Sequence, residues 1–323
     1  MKRAAALLLG AALLLGTSLP VLARQAVATA APVHVPPVPL LWKVSGAQGS
    51  ELYLLGSFHL LTPQDYPLSV DVDKAFEASG RLLFELSPEE MQAPELAMQM
   101  LQAAVRADGR QLKDDLDADT WQRLQAYASA NGLPLERLAG LKPWFVGLTI
   151  SLAQMQRQGL DAQAGLDRHL MARAADAGKL AEGLESAAAQ IAMLDGMDAE
   201  EQRQLLREAL EQVDKGDEQS RRLHDAWRRG DDVTLWRDMA AQMRRDYPGL
   251  YRRINVERND AWLAPLQQRL QAGQGTTLVV VGALHLLGED GVVEKLRAQG
   301  YKVERICSVC ARPAKSKAGG RNL

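Results

Sequence analysis

The chain has 323 residues, 47% of them hydrophobic and 24% charged, and a formal net charge of −2. That is ordinary globular composition. A mildly acidic chain with no basic stripe argues against nucleic acid as a partner, since binding phosphates needs clustered Lys and Arg.

The first residues read as an address. Lys2 and Arg3 precede an apolar run from Ala4 to Leu15, and Val21-Leu22-Ala23 offers small residues to a signal peptidase. The run is about a dozen residues, short of the roughly 20 that a spanning helix needs. Residues 1–23 are therefore expected to be a signal peptide cleaved after Ala23, placing the mature protein in the periplasm or outside the cell with no transmembrane span. Residues 24–39 form a Pro-rich lead-in, stiff and extended, on which His34 is expected to be solvated.

A single α/β domain is expected over residues 40–306. Apolar runs bounded by turn residues predict buried strands at 40–44, 52–56, 81–86, 277–282 and 301–306, with a weaker candidate at 179–184. Between them, about 88–272, apolar residues recur at three- and four-residue spacing, as in Trp121/Leu124/Tyr127/Ala128. Helix breaks fall at Asn131-Gly132, Gly159, Gly178, Gly196 and Tyr247-Pro248-Gly249. The expected fold is α/β: a central, mostly parallel sheet built from both chain ends, with a long helical insertion between them. Residues 307–323 are a tail. Its Cys307 and Cys310 are the chain's only cysteines; too few for a structural zinc site, they read as a local staple or a free pair.

One internal echo carries chemistry. Leu52-Tyr-Leu-Leu-Gly-Ser-Phe-His-Leu-Leu61 matches Leu278-Val-Val-Val-Gly-Ala-Leu-His-Leu-Leu287 position for position in character. Gly56 and Gly282 are expected to let the chain turn sharply at two strand ends. His59 and His285 would then project where open α/β sheets hold their ligands. Glu85 ends a third strand, and a carboxylate inside an apolar run is costly unless paired or bound to a metal. Two imidazoles and a carboxylate suffice for an open divalent-metal site; the same groups could serve as general bases without one.

At these motifs the chain resembles the TraB/GumN family, which includes the animal Tiki proteins. The resemblance rests on Gly56-Ser-Phe-His59, Phe84-Glu85-Leu-Ser and Val281-Gly-Ala-Leu-His285. Between them lie Leu141-Lys-Pro-Trp-Phe145, Gly165-Leu-Asp167, Gly183-Leu-Glu-Ser186 with Gln190, and Glu257-Arg258-Asn259. It implies a metal-dependent hydrolase, as family members are considered to be. The wider fold resembles that of erythromycin esterases, where a His-Glu-His set hydrolyses a lactone. On this likeness His59, His285 and Glu85 are the expected metal ligands, and Glu85, Arg258 and Asn259 the expected catalytic groups. Arg258 would stabilise an oxyanion. No tether follows the last motif, so the tethered proteolysis ascribed to Tiki proteins does not carry over.

The remaining candidates are mostly structural. Pro143 fits the first position of a helix, with Trp144 as a possible pocket residue. Glu185 either faces the site from a strand end or caps the following helix. His169, His224, Arg221-Arg222 and Arg228-Arg229 are expected to be solvated on helices. The leading expectation is a hydrolase of amide or ester bonds, peptidase-like, with one divalent ion such as Mn, Co or Zn and a peptide or small ester or amide substrate. The alternatives are a metal-free esterase-like enzyme using a His/Glu base, and a periplasmic ligand-binding protein without catalysis.

Overall fold

The computed structural model describes residues 35–273 and 275–310. The expected signal segment, its cleavage point, His34 and the tail beyond Cys310 lie outside the described residues. Six strands form where the apolar runs stand: β1 (Leu41–Ser45), β2 (Glu51–Ser57), β3 (Arg81–Phe84), β4 (Leu180–Gly183), β5 (Thr276–Gly282) and β6 (Lys302–Arg305). They make one sheet in the order β4-β3-β5-β2-β1-β6. The pairs β2/β5, β5/β3 and β3/β4 are parallel, while β1 runs antiparallel to β2 and β6. Leu54, Leu55, Leu82, Leu83, Val279 and Val280 are buried, as strands covered on both faces require. The weak strand candidate is thus real: β4 interrupts the helical insertion and edges the sheet.

The two echoing segments are direct neighbours, β2 beside β5, but one residue out of step. Gly56 pairs with Val281, and Ser57 with Gly282. The glycines are needed for space, and neither has a positive φ. A Cβ on Gly56 would lie 3.2 Å from Ala283 and from the Leu40 side chain. The same glycine accepts a hydrogen bond from Trp227 Nε1 at 2.9 Å through its carbonyl.

The first nine helices are α1 (Val70–Ala78), α2 (Pro88–Gln92), α3 (Glu95–Ala104), α4 (Ala118–Ala130), α5 (Pro143–Arg157), α6 (Leu166–Asp176), α7 (Ala187–Asp195), α8 (Ala199–Lys215) and α9 (Glu218–Arg229), of which α4, α5, α6 and α7 stop at the expected breaks. Gly132, Gly159 and Gly178 adopt positive φ there, which a side chain would strain. Next come α10 (Asp232–Leu235) and α11 (Gln242–Asp246), continuous through a π-helical turn at Trp236–Ala241. Pro248 then opens α12 (Pro248–Tyr251), which runs through a second π turn, Arg252–Val256, into α13 (Glu257–Gln271). α14 (Val292–Ala298) precedes β6.

Pro143 takes the first turn of α5 as expected. Trp144 does not reach a pocket: it is fully buried in the main core and stands edge-on to Phe145. His224 and Arg228 are not solvated either. Both bind Asp65, which is fully buried, with His224 Nε2 2.9 Å from its Oδ2. His169 stacks on Tyr66, ring centroids 4.0 Å apart. Asp65 gathers partners from a distant helix, so only packing reveals its pull. Cys307 and Cys310 are joined in a disulfide. Among the described residues no helix is long and apolar enough to cross a membrane.

Candidate active site

The carboxyl ends of β2, β3, β4 and β5 converge. Glu85 follows β3 directly, and the ladder continues past the strands: Leu184 N donates to Phe84 O at 2.8 Å and Glu185 N to Glu85 O at 3.0 Å. The two carboxylate residues are thereby set side by side. From β5, Gly282 N donates to Glu85 Oε1 at 2.8 Å. A Cβ on Gly282 would stand 3.2 Å from that oxygen and 3.3 Å from His59 Nε2. Glycine at this position is what lets the three strand ends close on one another.

α13 delivers the cation. Arg258 donates from Nη2 to Glu85 Oε2 at 2.5 Å and from Nε to both oxygens of Glu185, at 3.0 and 3.2 Å. Its Nη2 also binds Glu185, and its Nη1 faces His285 Nε2 at 3.0 Å and Ile254 O at 3.4 Å. Gln190 Nε2 donates to Glu185 Oε1 at 2.8 Å. Glu185 therefore faces the site, through Arg258. Burial works against the charge of Arg258, but the two carboxylates raise its pKa above the ordinary value for arginine. Burial likewise works against the Glu85 carboxylate, yet Arg258 holds its pKa well below the usual range.

The protonation of His285 follows from its partners. A guanidinium only donates, so Nε2 accepts from Arg258 and Nδ1 carries the proton. That proton goes to Asn259 Oδ1 at 2.7 Å, while Asn259 Nδ2 donates to Asp290 O at 2.8 Å. Burial and the Arg258 charge push the His285 pKa down to about 3. His285 is neutral and fully engaged, with Trp262 against its ring at 4.6 Å. Asn259 does not line the cleft; it positions His285.

His59 is built differently. Its Nδ1 donates to Asp167 Oδ2 at 2.8 Å, and Ser57 Oγ donates to the same oxygen at 2.9 Å. Asp167 sits in the first turn of α6, which packs closely: Leu166 N donates to Phe58 O at 3.0 Å, and a Cβ on Gly165 would lie 2.1 Å from His59 O. Burial lowers the His59 pKa, but Asp167 and then Glu85 outweigh it and raise the value to about 9. Nε2 is left facing the cleft, 3.8 Å from Glu85 Oε1, too long for a direct hydrogen bond.

Asp167 is thus the functional residue that sequence reasoning did not assign, although Gly165-Leu-Asp167 was a visible motif. The cleft continues on both sides of His59. One side is walled by Phe58, Arg258, Ala283 and Leu284, together with Met239 and Ile254 from the two π turns. The other is walled by Leu86, Met91, Ala162, Asp167, Arg168 and Gln190. Single π turns inside α-helices recur at functional sites.

A divalent ion is a test of this geometry. His59 Nε2 and His285 Nε2 both face Glu85 Oε1, at 3.8 and 3.9 Å. With Arg258 in place the three groups do not fit an ion: the guanidinium occupies His285 Nε2 and Glu85 Oε2, and its permanent charge would repel a second cation.

The chain is 25% identical over 257 residues to the uncharacterized protein YbaP of Escherichia coli (strain K12), covering 76% of this chain and 87% of that one. The YbaP protein of Shigella flexneri matches to the same extent, 25% over 257 residues. No solved structure matches. The model of the TraB/PrgY/gumN family matches residues 40–305, which takes in every strand and every residue of the site, and the chain belongs to that family.

Proposed function

We propose that the protein is an exported hydrolase of ester or amide bonds in which His59 activates water beside Glu85. The observation that carries this reading is the Asp167–His59 pair, with Nδ1 held by a carboxylate and Nε2 turned to the cleft. That pairing fixes the tautomer a general base needs and supports the imidazolium that forms. Water bound next to His59 Nε2 and Glu85 Oε1 gives its proton to Nε2 as its oxygen attacks the carbonyl carbon. The carbonyl electron pair moves onto oxygen, near the Arg258 charge. Collapse breaks the bond to the alcohol or amine, which leaves with the proton from His59. The products are one carboxylic acid and one alcohol or amine. Arg258 Nη1 is the edge that would turn to the oxyanion, because its bond to Ile254 O is long at 3.4 Å.

Export is part of the proposal. The N-terminal pattern supports it, and so does a disulfide, which persists in oxidising compartments. Mass spectrometry of the periplasmic fraction should show a chain lacking residues 1–23; intact Met1 in the cytoplasm would defeat it.

The test of the chemistry is turnover of a panel of activated esters and anilides by the mature protein after exhaustive chelation. Activity that survives chelator and vanishes in His59→Ala supports the base mechanism. A second reading, favoured by the two imidazoles facing one carboxylate oxygen, places a divalent ion on His59, Glu85 and His285 with Arg258 withdrawn. A bound ion would supply Lewis acidity and a more acidic water. Loss of activity on chelation, together with loss of metal content in His285→Ala, would select it. Ligand binding without turnover, unchanged in His59→Ala, would replace both with a binding protein.

A further inference from the structure

Arg168 stands in the first turn of α6, next to Asp167, in the cleft wall that also holds His59, Glu85 and Gln190. Its Nε and Nη2 are shielded from solvent and meet no hydrogen-bond partner among the described residues. Those two nitrogens form one edge of the guanidinium, whose parallel N–H bonds match the two oxygens of a carboxylate. Leaving such donors buried without an acceptor is unfavourable. The cleft's own carboxylates do not relieve it. Glu85 is held by Arg258 and Gly282 N, and Asp167 by His59 and Ser57. The same wall also holds the apolar side chains of Leu86, Met91 and Ala162.

We propose that Arg168 binds a carboxylate of the substrate, so that the molecule hydrolysed is an acylated amino acid or the carboxy-terminal residue of a peptide. This rests on the hydrolase reading above. The carboxylate takes the open fork, an apolar side chain lies against Leu86 and Met91, and the scissile carbonyl is presented to His59.

Binding tests this without requiring turnover. Calorimetric titration of the mature protein with N-acetylleucine, N-acetylleucinamide and inorganic phosphate compares a carboxylate, its neutral twin and a tetrahedral anion. The acid is expected to bind at least about tenfold more tightly than the amide, the usual scale for a charge-assisted bidentate pair, and more tightly than phosphate. Arg168→Ala should erase that preference, and Arg168→Lys should restore only part of it. N-acetyl-alanyl-leucine separates the two substrate classes: tighter binding than N-acetylleucine selects the peptide end, weaker binding the acylated amino acid. Equal binding of acid and amide, preferred binding of phosphate, or no binding of the acid at millimolar concentration would overturn the proposal, and these arms need no variant. A preference for the acid that persists in Arg168→Ala would also overturn it. A protein that binds acid over amide yet hydrolyses neither ester nor amide keeps this inference and loses the hydrolase reading. Hydrolysis indifferent to the carboxylate does the reverse.

Discussion

Two arginines flank His59, one on each side of the cleft. Arg258 has its Nε–Nη2 edge clasped by Glu185, a further bond to Glu85 and another to His285. Arg168 has the same edge directed at no acceptor within the described residues. The first ties three strand ends to α13 and helps hold the pKa values of Glu85 and His285 down. The second contributes no such tie. A buried charge most of whose donors are spent inside the protein serves first as architecture, whereas one whose donors are shielded but unspent is suited to a ligand.

The largest expected effect is on the closed side. Arg258→Ala would leave Glu85 and Glu185 without their cation, one of them buried, and should cost about 3–5 kcal/mol of unfolding free energy, read by urea denaturation. A loss below about 1 kcal/mol would mean that the cluster is not the structural clasp described here. His59→Ala and Asp167→Asn should instead lower turnover by about 10²–10⁴-fold with the fold intact, the usual range for a general base. Equal losses of stability and turnover in these variants would erase the distinction between clasp and catalyst.

The pH dependence sharpens it further. With His59 raised to about 9, kcat/KM limited by its basic form should climb through neutral pH and level off above about 9. Asp167→Asn removes the main opposing influence on a buried imidazole, so the rise should move to lower pH. A profile that falls across this range would assign His59 to acid rather than base work. The linked stability has a definite sign. Because the folded pKa lies above the ordinary 6.5, the His59 contribution is complete below that value and is lost as pH rises through about 9.

Gly282→Ala is a smaller perturbation, since the added methyl meets Glu85 Oε1 at 3.2 Å and His59 Nε2 at 3.3 Å. Displacement by a few tenths of an ångström should reduce turnover about tenfold while leaving thermal stability within a few degrees, by comparison of kcat and Tm. The smallest expected effect is at Arg168. Its Nε and Nη2 give up no bond on truncation, so Arg168→Ala should lower unfolding free energy by no more than about 0.5 kcal/mol, if at all. A larger drop would show that Arg168 is structural and that the two arginines do not differ.

Much of the fold was legible along the chain. Short apolar runs between turn residues are a local property, so every strand was found near its bounds, and the ends of α4 to α7 carried their own Gly signal. Five site residues, His59, Glu85, His285, Arg258 and Asn259, were legible through an echo and a set of spaced motifs. Their partnerships were not. His59 and His285 look alike in sequence, yet one is held by a carboxylate from α6 and the other by an amide and a guanidinium from α13. The sequence by itself determined which segments become strands and helices, because propensity and hydrophobic period act over a few residues. Only the tertiary structure decided that β2 and β5 pair one residue out of step, that His285 is spent on Arg258 and Asn259 while His59 is paired with Asp167 and open to the cleft, and that of two arginines one closes the site and the other meets no acceptor among the described residues. Burial and charge proximity set those outcomes, and both depend on residues far apart along the chain.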